Sequence, residues 1–518
     1  MDTLRSYIAG AWHTASDGFV PLVDPSTEAV LGQVSSRGVD FGAALDTARD
    51  QGGPALRALT FAERGAALKA ISKAWREHRD ELLQLSQRHH GTTAADGSFD
   101  IDGAGGTFAY YASLAKGLGD GRVLSVDDGV QLGKSEGFWS RHARVPRHGV
   151  AVAINAFNFP VWGFAEKAAC ALLAGMPMIV KPATTTSAVA ARALEIAIES
   201  GALPEGALQC VIGSAGDLVE RLGAQDVLAF TGSADTAMRL RGKANLLDAS
   251  VSVNVEADSL NAAVLAPDVA SDSATFALYI RDVVREMTQK AGQKCTAVRR
   301  LIVPASRIDA IAEALTAKLS KVQVGDPADE SVTMGPLASA AQLADAIDGV
   351  AALEAAGAER IHGTGQRLDG VGAPAGKGFF FGPTVLRHAD AHAAGEIHRR
   401  EVFGPVATLL PYDGTAAEAA SVVALGGGTL VTSAYGDDAA WHGDFLADVG
   451  AHTGRVYLGS EGSAKVAFGS GAALPQAHHG GPGRAGGGGE LGGLQGLELY
   501  TQRVAIQGDR PLVDPLIG

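Results

Sequence analysis

Between residues 149 and 249 short apolar runs alternate with stretches of helical period, and no other feature constrains the fold as strongly. "GVAVAINAFNFP" (149–160) begins as a β-rich strand and ends in Asn and Pro. "VWGFAEKAACALLAG" follows as a helix, with Gly175 as its stop signal. "MPMIVKP" (176–182) is a short buried strand closed by Pro182. "TSAVAARALEIAIESG" is amphipathic, with Ser187 as N-cap and Gly201 just past its end. "ALQCVIG" reads as a strand, "DLVERLG" as a helix, "DVLAFTGS" as a strand and "ADTAMRLRGKANLL" as helical. This alternation predicts an α/β fold with a doubly wound, mostly parallel sheet. Such sheets bind ligands beyond the carboxyl ends of their strands. Positions 155–158, 181–184, 213–217 and 230–233 are therefore the ones to inspect.

A second α/β region runs from about residue 256 to 465 and contains "RRLIVPASRIDAIAEALTAKLSKVQVGDP" as strand, helix and turn. The tail from about 478 reads as a glycine-rich loop followed by a β-like run, and no internal repeat is evident. A chain of 518 residues accommodates two or three domains, and its 46% hydrophobic content excludes global disorder. Lys and Arg number 43 against 57 Asp and Glu, a net charge of −14 with no basic stripe. Nucleic acid and anionic membrane surfaces are thus poor partners. Three cysteines without a CxxC fit a reducing compartment rather than a disulfide framework. No apolar run suits a signal peptide or a membrane span, so the expected location is cytoplasmic.

One cysteine differs from the others. Cys170 and Cys210 sit among small apolar residues, where a thiol packs as a minor hydrophobe. Cys295, in "GQKCTAVRR", lies between Lys294 and Thr296, with Arg299 and Arg300 just beyond. Cations and backbone N–H groups favour the thiolate, which is the nucleophilic form. On this stretch alone, an inert thiol remains the other reading.

Four further strings bear on that choice: "INAFNFP", "VKPATTTS", "FTGS" and "EVFGP" (401–405). With "GQKC" and "VGDPADESVTMGPLAS" (324–339), in this order over most of the chain, they resemble the aldehyde dehydrogenase superfamily. The resemblance implies that family's fold: a Rossmann-like cofactor domain (1–125 and 149–255), an α/β catalytic domain (256–465) and a β oligomerisation arm (126–148 and 485–518). It implies that Cys295 attacks an aldehyde carbon to give a thiohemiacetal. The side-chain amide of Asn158 and the backbone N–H of Cys295 would hold the oxyanion. Hydride would leave for a nicotinamide, and Glu256, in "VNVEADSLNA", would activate the water that hydrolyses the resulting thioester. Lys167 matches a family lysine at the end of the active-site helix. Strand ends and resemblance together assign the cofactor to Ile154, Asn155, Ala156, Phe157, Lys181, Ala183, Thr184, Gly213, Asp217, Phe230, Thr231, Gly232, Ser233, Thr236, Ala257, Glu401 and Phe403. Trp162, Gly163 and Glu166 match the wall of the substrate funnel, where Gly163 removes bulk. No metal is implied.

The chain also departs from the common pattern. Glu256 is followed by Ala257-Asp258-Ser259 where the family commonly has Leu-Gly-Gly, so the carboxylate is kept but its backbone surroundings change. "VEADSLNA", "GQKCTAVRR" and "HHGGPGRAGGGGELGG" are similar to family members that oxidise ring-opened semialdehydes in aerobic degradation of phenylacetyl-CoA and benzoyl-CoA. The phenylacetate members carry a C-terminal hydratase domain; the end of this chain at 518 points to the benzoate branch. The implied substrate is 3,4-didehydroadipyl-CoA semialdehyde, a small-molecule aldehyde that is also a CoA thioester. Thr184 stands three residues after Lys181, where NAD-preferring members commonly have Glu, so NADP is expected and NAD is the alternative. "LELYTQRVAIQG" (497–508) matches a segment that pairs with a neighbouring subunit, implying a homodimer or a dimer of dimers.

Two other functions stay open at this level. A CoA-acylating dehydrogenase would resolve the thioester with free CoA, and Glu256 argues against it. A non-catalytic binding protein could use the same fold, and the joint presence of Cys295, Asn158 and Glu256 argues against that. Adjacent His478 and His479 do not readily share one ion and are read as loop or solvent-facing residues. Residues 480–496 lack the Gly-Lys-Ser/Thr ending of a P-loop and are read as a flexible loop near the substrate entrance. Arg141, Arg144 and Arg147, in "SRHARVPRHG" (140–149), are candidates for holding CoA phosphates.

Overall fold

Five parallel strands form the body of the first sheet, and their order locates the ligand crevice. In the computed structural model, which describes residues 2–517, Ser252–Glu256, Val227–Thr231, Ala151–Ile154, Met178–Lys181 and Leu208–Cys210 lie side by side in that order. Ser6–Ile8 and Ala11–His13 extend the sheet antiparallel. The chain enters at 151–154, winds out through 178–181 and 208–210, then returns to the other side through 227–231 and 252–256. The order therefore reverses between 151–154 and 227–231, which is where an open α/β sheet parts to receive a ligand.

The sheet is apolar without alternation because both faces are covered. Ala151, Ala153, Met178 and Val180 pack against the helices Phe61–Glu77, Ala94–Leu118, Trp162–Ala174 and Ser187–Glu199. Val150, Val152, Ile179 and Leu228 pack on the opposite face against Ala44, Leu45 and Leu246. Gly175 ends its helix at φ 91, the left-handed conformation expected of a stop glycine.

The second sheet also has seven strands, ordered Glu359–His362, Thr384–Arg387, Val406–Tyr412, Arg300–Pro304, Ala262–Leu265, Thr429–Tyr435 and Thr453–Gly459. Only the edge strand 359–362 runs antiparallel. A smaller sheet stands apart: Trp139–Pro146 pairs along its length with Thr501–Gly508, and Leu124–Ser125 and Val130–Gln131 also pair with it. Among the described residues no helix is long and apolar enough to cross a membrane.

Four local expectations change. "DLVERLG" forms only the short 3-10 turn Val219–Arg221. Thr186, not Ser187, is the N-cap residue of the next helix, and Ser187 Oγ instead donates to the Thr184 carbonyl at 2.8 Å. The glycine-rich tail is not a flexible loop: His478–Gly480 and Gly489–Leu491 pair as an antiparallel hairpin. A Cβ on Gly486 would overlap the Val255 carbonyl, so close packing explains the glycine there. Residues 485–500 accordingly belong to this hairpin and its exit, and the strand shared with 139–146 begins at Thr501.

Candidate active site

Cys295 lies where the two large sheets meet. It follows a left-handed turn in which Lys290, Ala291 and Gly292 have φ of 54, 52 and 69. Gly292 packs so closely on Gly404 that a Cβ would overlap the Gly404 carbonyl, and Arg299 donates to that same carbonyl at 2.8 Å. "GQKC" and "EVFGP", distant in sequence, are thereby one packed unit. Asn261 Nδ2 donates to the carbonyls of Cys295 and Ala297 at 2.7 and 2.9 Å, which fixes the backbone that carries the thiol. Glu256 is the last residue of strand 252–256, at the carboxyl edge of the first sheet. Asn158 follows strand 151–154, and Lys167 lies in the second turn of helix 162–174 rather than at its end.

These elements enclose a cavity of about 30 Å³. The four expected catalytic residues, Cys295, Glu256, Asn158 and Lys167, all line it, as do Trp162, Gly163 and Glu166. His479 lines it too, which overturns its reading as a solvent-facing residue. The reason is strand alternation: in the hairpin strand 478–480, His478 points out and His479 points in. That period-2 signal was available in the sequence once the tail is seen as a strand.

The cations beside Cys295 do not act on the thiol as the local sequence suggests. Lys294 Nζ is paired with buried Glu286 at 2.7 Å, and Arg299 Nε with Glu401 at 3.3 Å. Arg300 donates to the carbonyls of Leu260, Val422 and Val423. What faces the sulfur is His479 Nε2, at 3.9 Å, and a set of carboxylates. Burial, then Glu256, pushes the Cys295 thiol well above its ordinary range. The same His479 Nε2 stands 3.2 Å from Glu256 Oε2. Burial alone would raise the Glu256 carboxyl, but His479 and then Lys167 hold it below the usual carboxylate range. Burial lowers the imidazole in turn, and Glu256 outweighs that and pushes it up. Lys167 Nζ pairs with Glu490 Oε2 at 3.0 Å, and Glu490 Oε1 accepts from Asn254 Nδ2 at 3.0 Å. Glu166 is pushed up to about 8, by burial first.

A second cavity, of about 650 Å³, opens at the strand-order reversal and reaches both Cys295 and Glu256. Fifteen of the expected cofactor residues line it: Ile154, Asn155, Ala156 and Phe157 from one strand end; Lys181, Ala183 and Thr184 from the next; Phe230, Thr231, Gly232, Ser233 and Thr236 across the reversal; and Ala257, Glu401 and Phe403. Gly213 and Asp217 do not. They follow strand 208–210, two strands from the reversal, where Gly213 packs on the backbone of Ser35 and Ser36 and Asp217 pairs with Arg221 at 2.7 Å.

The cleft suits a nicotinamide dinucleotide. The amide atoms of Asn155 and the hydroxyl of Thr231 are buried without a hydrogen-bond partner, as groups awaiting a polar ligand would be. Glu401 is held by Arg299 and by the Ser259 N–H at 3.0 Å, and burial raises it to about 7. Phe403 stands edge-on to Phe157 at 5.8 Å, with Arg299 over its ring at 5.3 Å. Asp258, absent from the expected set, also lines the cleft and accepts from the Ala234 N–H at 3.0 Å. Ser259 Oγ donates to Asn261 at 2.6 Å and accepts from the Leu430 N–H at 2.9 Å. The unusual Ala-Asp-Ser after Glu256 is thus tied into its surroundings by its own hydrogen bonds. Arg141 and Arg144, on strand 139–146, pair with Asp514 of helix 510–517 and Glu498 of the 3-10 segment 493–500, and with Arg147 they lie outside both cavities.

Comparisons with known proteins point the same way. The profile of the aldehyde dehydrogenase family matches residues 12–506. The chain is 43% identical over 479 residues to the 3,4-dehydroadipyl-CoA semialdehyde dehydrogenase of Aromatoleum evansii, covering 92% of this chain and 93% of that one. It is 28% identical over 421 residues to the NADP(+) succinate-semialdehyde dehydrogenase of Escherichia coli K12, covering 79% and 80%. Among solved structures, betaine aldehyde dehydrogenase of Staphylococcus aureus in complex with NAD+ superposes with a TM-score of 0.84 at 26% identity, over 99% of this chain and 96% of that one.

Proposed function

The chain belongs to the aldehyde dehydrogenase family, and on that premise we propose that it oxidises a CoA-thioester semialdehyde to the free acid with NADP. The Aromatoleum relative's named substrate and the presence of Thr184 and Lys181, a hydroxyl and a cation, in the lining of the cleft support this reading. When bound, the nicotinamide cofactor supplies the hydride acceptor; the chain's own side chains and the backbone N–H of Cys295 do the rest.

Cys295 is the nucleophile that carries the substrate, first as a thiohemiacetal and then as a thioester. Its high pKa means that the proton must be taken as the bond to carbon forms, and Glu256 and His479 are the groups beside it. The Asn158 amide and the Cys295 N–H serve the oxyanion, where loss of one donor costs roughly 10²–10³ in rate. Glu256 then deprotonates the water that releases the acid. The observation that carries the reading is the carboxylate of Glu256, kept ionised by His479 beside the nucleophile. An enzyme that passes its acyl group to free CoA does not need that base.

Only the aldehyde end of a long substrate fits a cavity of about 30 Å³. The rest of the molecule extends along residues 466–473, where Val466 and Phe468 are exposed and Arg455 holds the carbonyls of Ser470 and Ala472 at 2.7 and 2.6 Å. The strand Thr501–Gly508, at the edge of its sheet with Val504 exposed, is the expected contact for a homodimer or a dimer of dimers. The substrate reading is tested by comparing kcat/KM for a CoA-thioester semialdehyde with that for its free-acid analogue. Remote binding energy should make the first much the larger. Equal values would remove the CoA arm from the proposal while leaving aldehyde oxidation itself in place.

A further inference from the structure

We propose that Cys295, His479 and Glu256 also form a binding site for one zinc-class divalent cation, whose occupancy reversibly silences the enzyme and shields its thiol. Their ligand atoms all lie within 4.8 Å of one another. Sγ to Nε2 is 3.9 Å and Nε2 to Oε2 is 3.2 Å. Tetrahedral zinc, with bonds of about 2.0–2.3 Å, sets its ligand atoms about 3.3–3.6 Å apart. Shifts of a few tenths of an ångström bring the sulfur–nitrogen and nitrogen–oxygen distances to those values, and the sulfur and the carboxylate oxygen start within 4.8 Å of each other.

The three ligands come from three firmly held places. Glu256 ends a central strand, His479 is paired within a hairpin, and the carbonyl of Cys295 is tied down by Asn261. Charge fits as well: a thiolate and a carboxylate carry two negative charges, which a divalent cation neutralises with the imidazole uncharged. On binding, the thiol and the imidazolium each lose a proton to solvent, two protons per cation, and Nε2 presents its lone pair in place of the proton it held toward Glu256. A thiolate with an imidazole selects zinc-class ions over magnesium or calcium.

Two features make the cation exchangeable rather than structural. Three protein ligands leave the fourth position open to the cavity, unlike closed four-ligand structural sites. His479 Nδ1 has no hydrogen-bond partner, so the imidazole lacks the outer anchor that tight sites provide. An occupied site withholds both the nucleophile and the base, and it blocks oxidation of the thiolate.

The test uses the full-length chain without cofactor or substrate, so its outcome does not depend on which aldehyde is native. Co²⁺ should give the intense visible bands of tetrahedral cobalt and a near-ultraviolet thiolate-to-cobalt band that saturates at one equivalent per chain. Zn²⁺ should displace it, prior alkylation of Cys295 should prevent it, and His479→Phe should weaken it more than about tenfold, the least that even an outer partner of a ligand costs. Zn²⁺ should also slow iodoacetamide alkylation of Cys295, with reversal by EDTA. Absence of a saturable thiolate–cobalt band in the wild type overturns the proposal, as does unchanged Co²⁺ affinity in His479→Phe. If the variant does not fold, the wild-type band and its sensitivity to Cys295 alkylation decide.

Discussion

Glu256 and His479 form a buried ion pair, Oε2 to Nε2 at 3.2 Å, and the same imidazole nitrogen stands 3.9 Å from the sulfur of Cys295. One side chain thus holds the Glu256 carboxylate in its ionised form and also faces the Cys295 sulfur. The local sequence points instead to Lys294, Arg299 and Arg300 as the thiol's electrostatic environment. Each of those cations is engaged elsewhere.

Replacing His479 with Phe removes the strongest influence holding the Glu256 carboxyl down, and burial then pushes it up. Hydrolysis of the acyl-enzyme needs ionised Glu256, so its rate falls as pH drops through the Glu256 pKa. In His479→Phe that fall should come at higher pH than in the wild type. Single-turnover deacylation rates measured across pH will show it; an acid limb that stays in place means His479 does not govern the base.

Glu166 gives a stability prediction with a definite sign. Its carboxyl is raised from 4.5 to about 8, so the folded state holds this proton more tightly than the unfolded chain. The stabilisation is full below about pH 4.5 and is lost as pH rises through about 8. The wild type should therefore lose stability relative to Glu166→Gln over that interval. Thermal midpoints of the two proteins, taken pairwise at each pH, measure the difference, and a gap that does not change with pH counts against a buried neutral Glu166.

On the proposed reading, Thr184 favours NADP because it leaves out a charge. It lines the cleft with Lys181, and no carboxylate occupies its position to repel a 2′-phosphate. Thr184→Glu should lower kcat/KM for NADP by roughly tenfold or more, since about 1.4 kcal/mol is a factor of ten. NAD should be used as well as before or better. A wild type that already prefers NAD would show that Thr184 is merely tolerated.

The lining of the cleft at the strand-order reversal was largely legible because strand ends there are marked by local pattern: an apolar run, then Asn155 or Thr231, then a turn. Gly213 and Asp217 follow a strand of the same kind, but sequence pattern does not say how far a strand lies from the reversal. Glu490 and His479 were hidden for another reason. The glycines of 480–489 look like slack chain, whereas Gly486 is pressed against the backbone of strand 252–256 and the segment brings His479 to the thiol and Glu490 to Lys167. The surroundings of Cys295 differ from those its sequence suggests because sequence neighbours are not spatial neighbours: Lys294 turns away to Glu286.

The central claim, that Cys295 carries the substrate covalently and Glu256 frees it with water, is tested most directly by intact mass of Glu256→Gln. Given NADP and the CoA-thioester semialdehyde, that variant should reduce one equivalent of cofactor per chain and then stall. The protein should gain the mass of one acyl group, located at Cys295 and absent from Cys295→Ala, which should still bind cofactor. Steady turnover by Glu256→Gln, or an acyl adduct that persists in Cys295→Ala, would contradict the account.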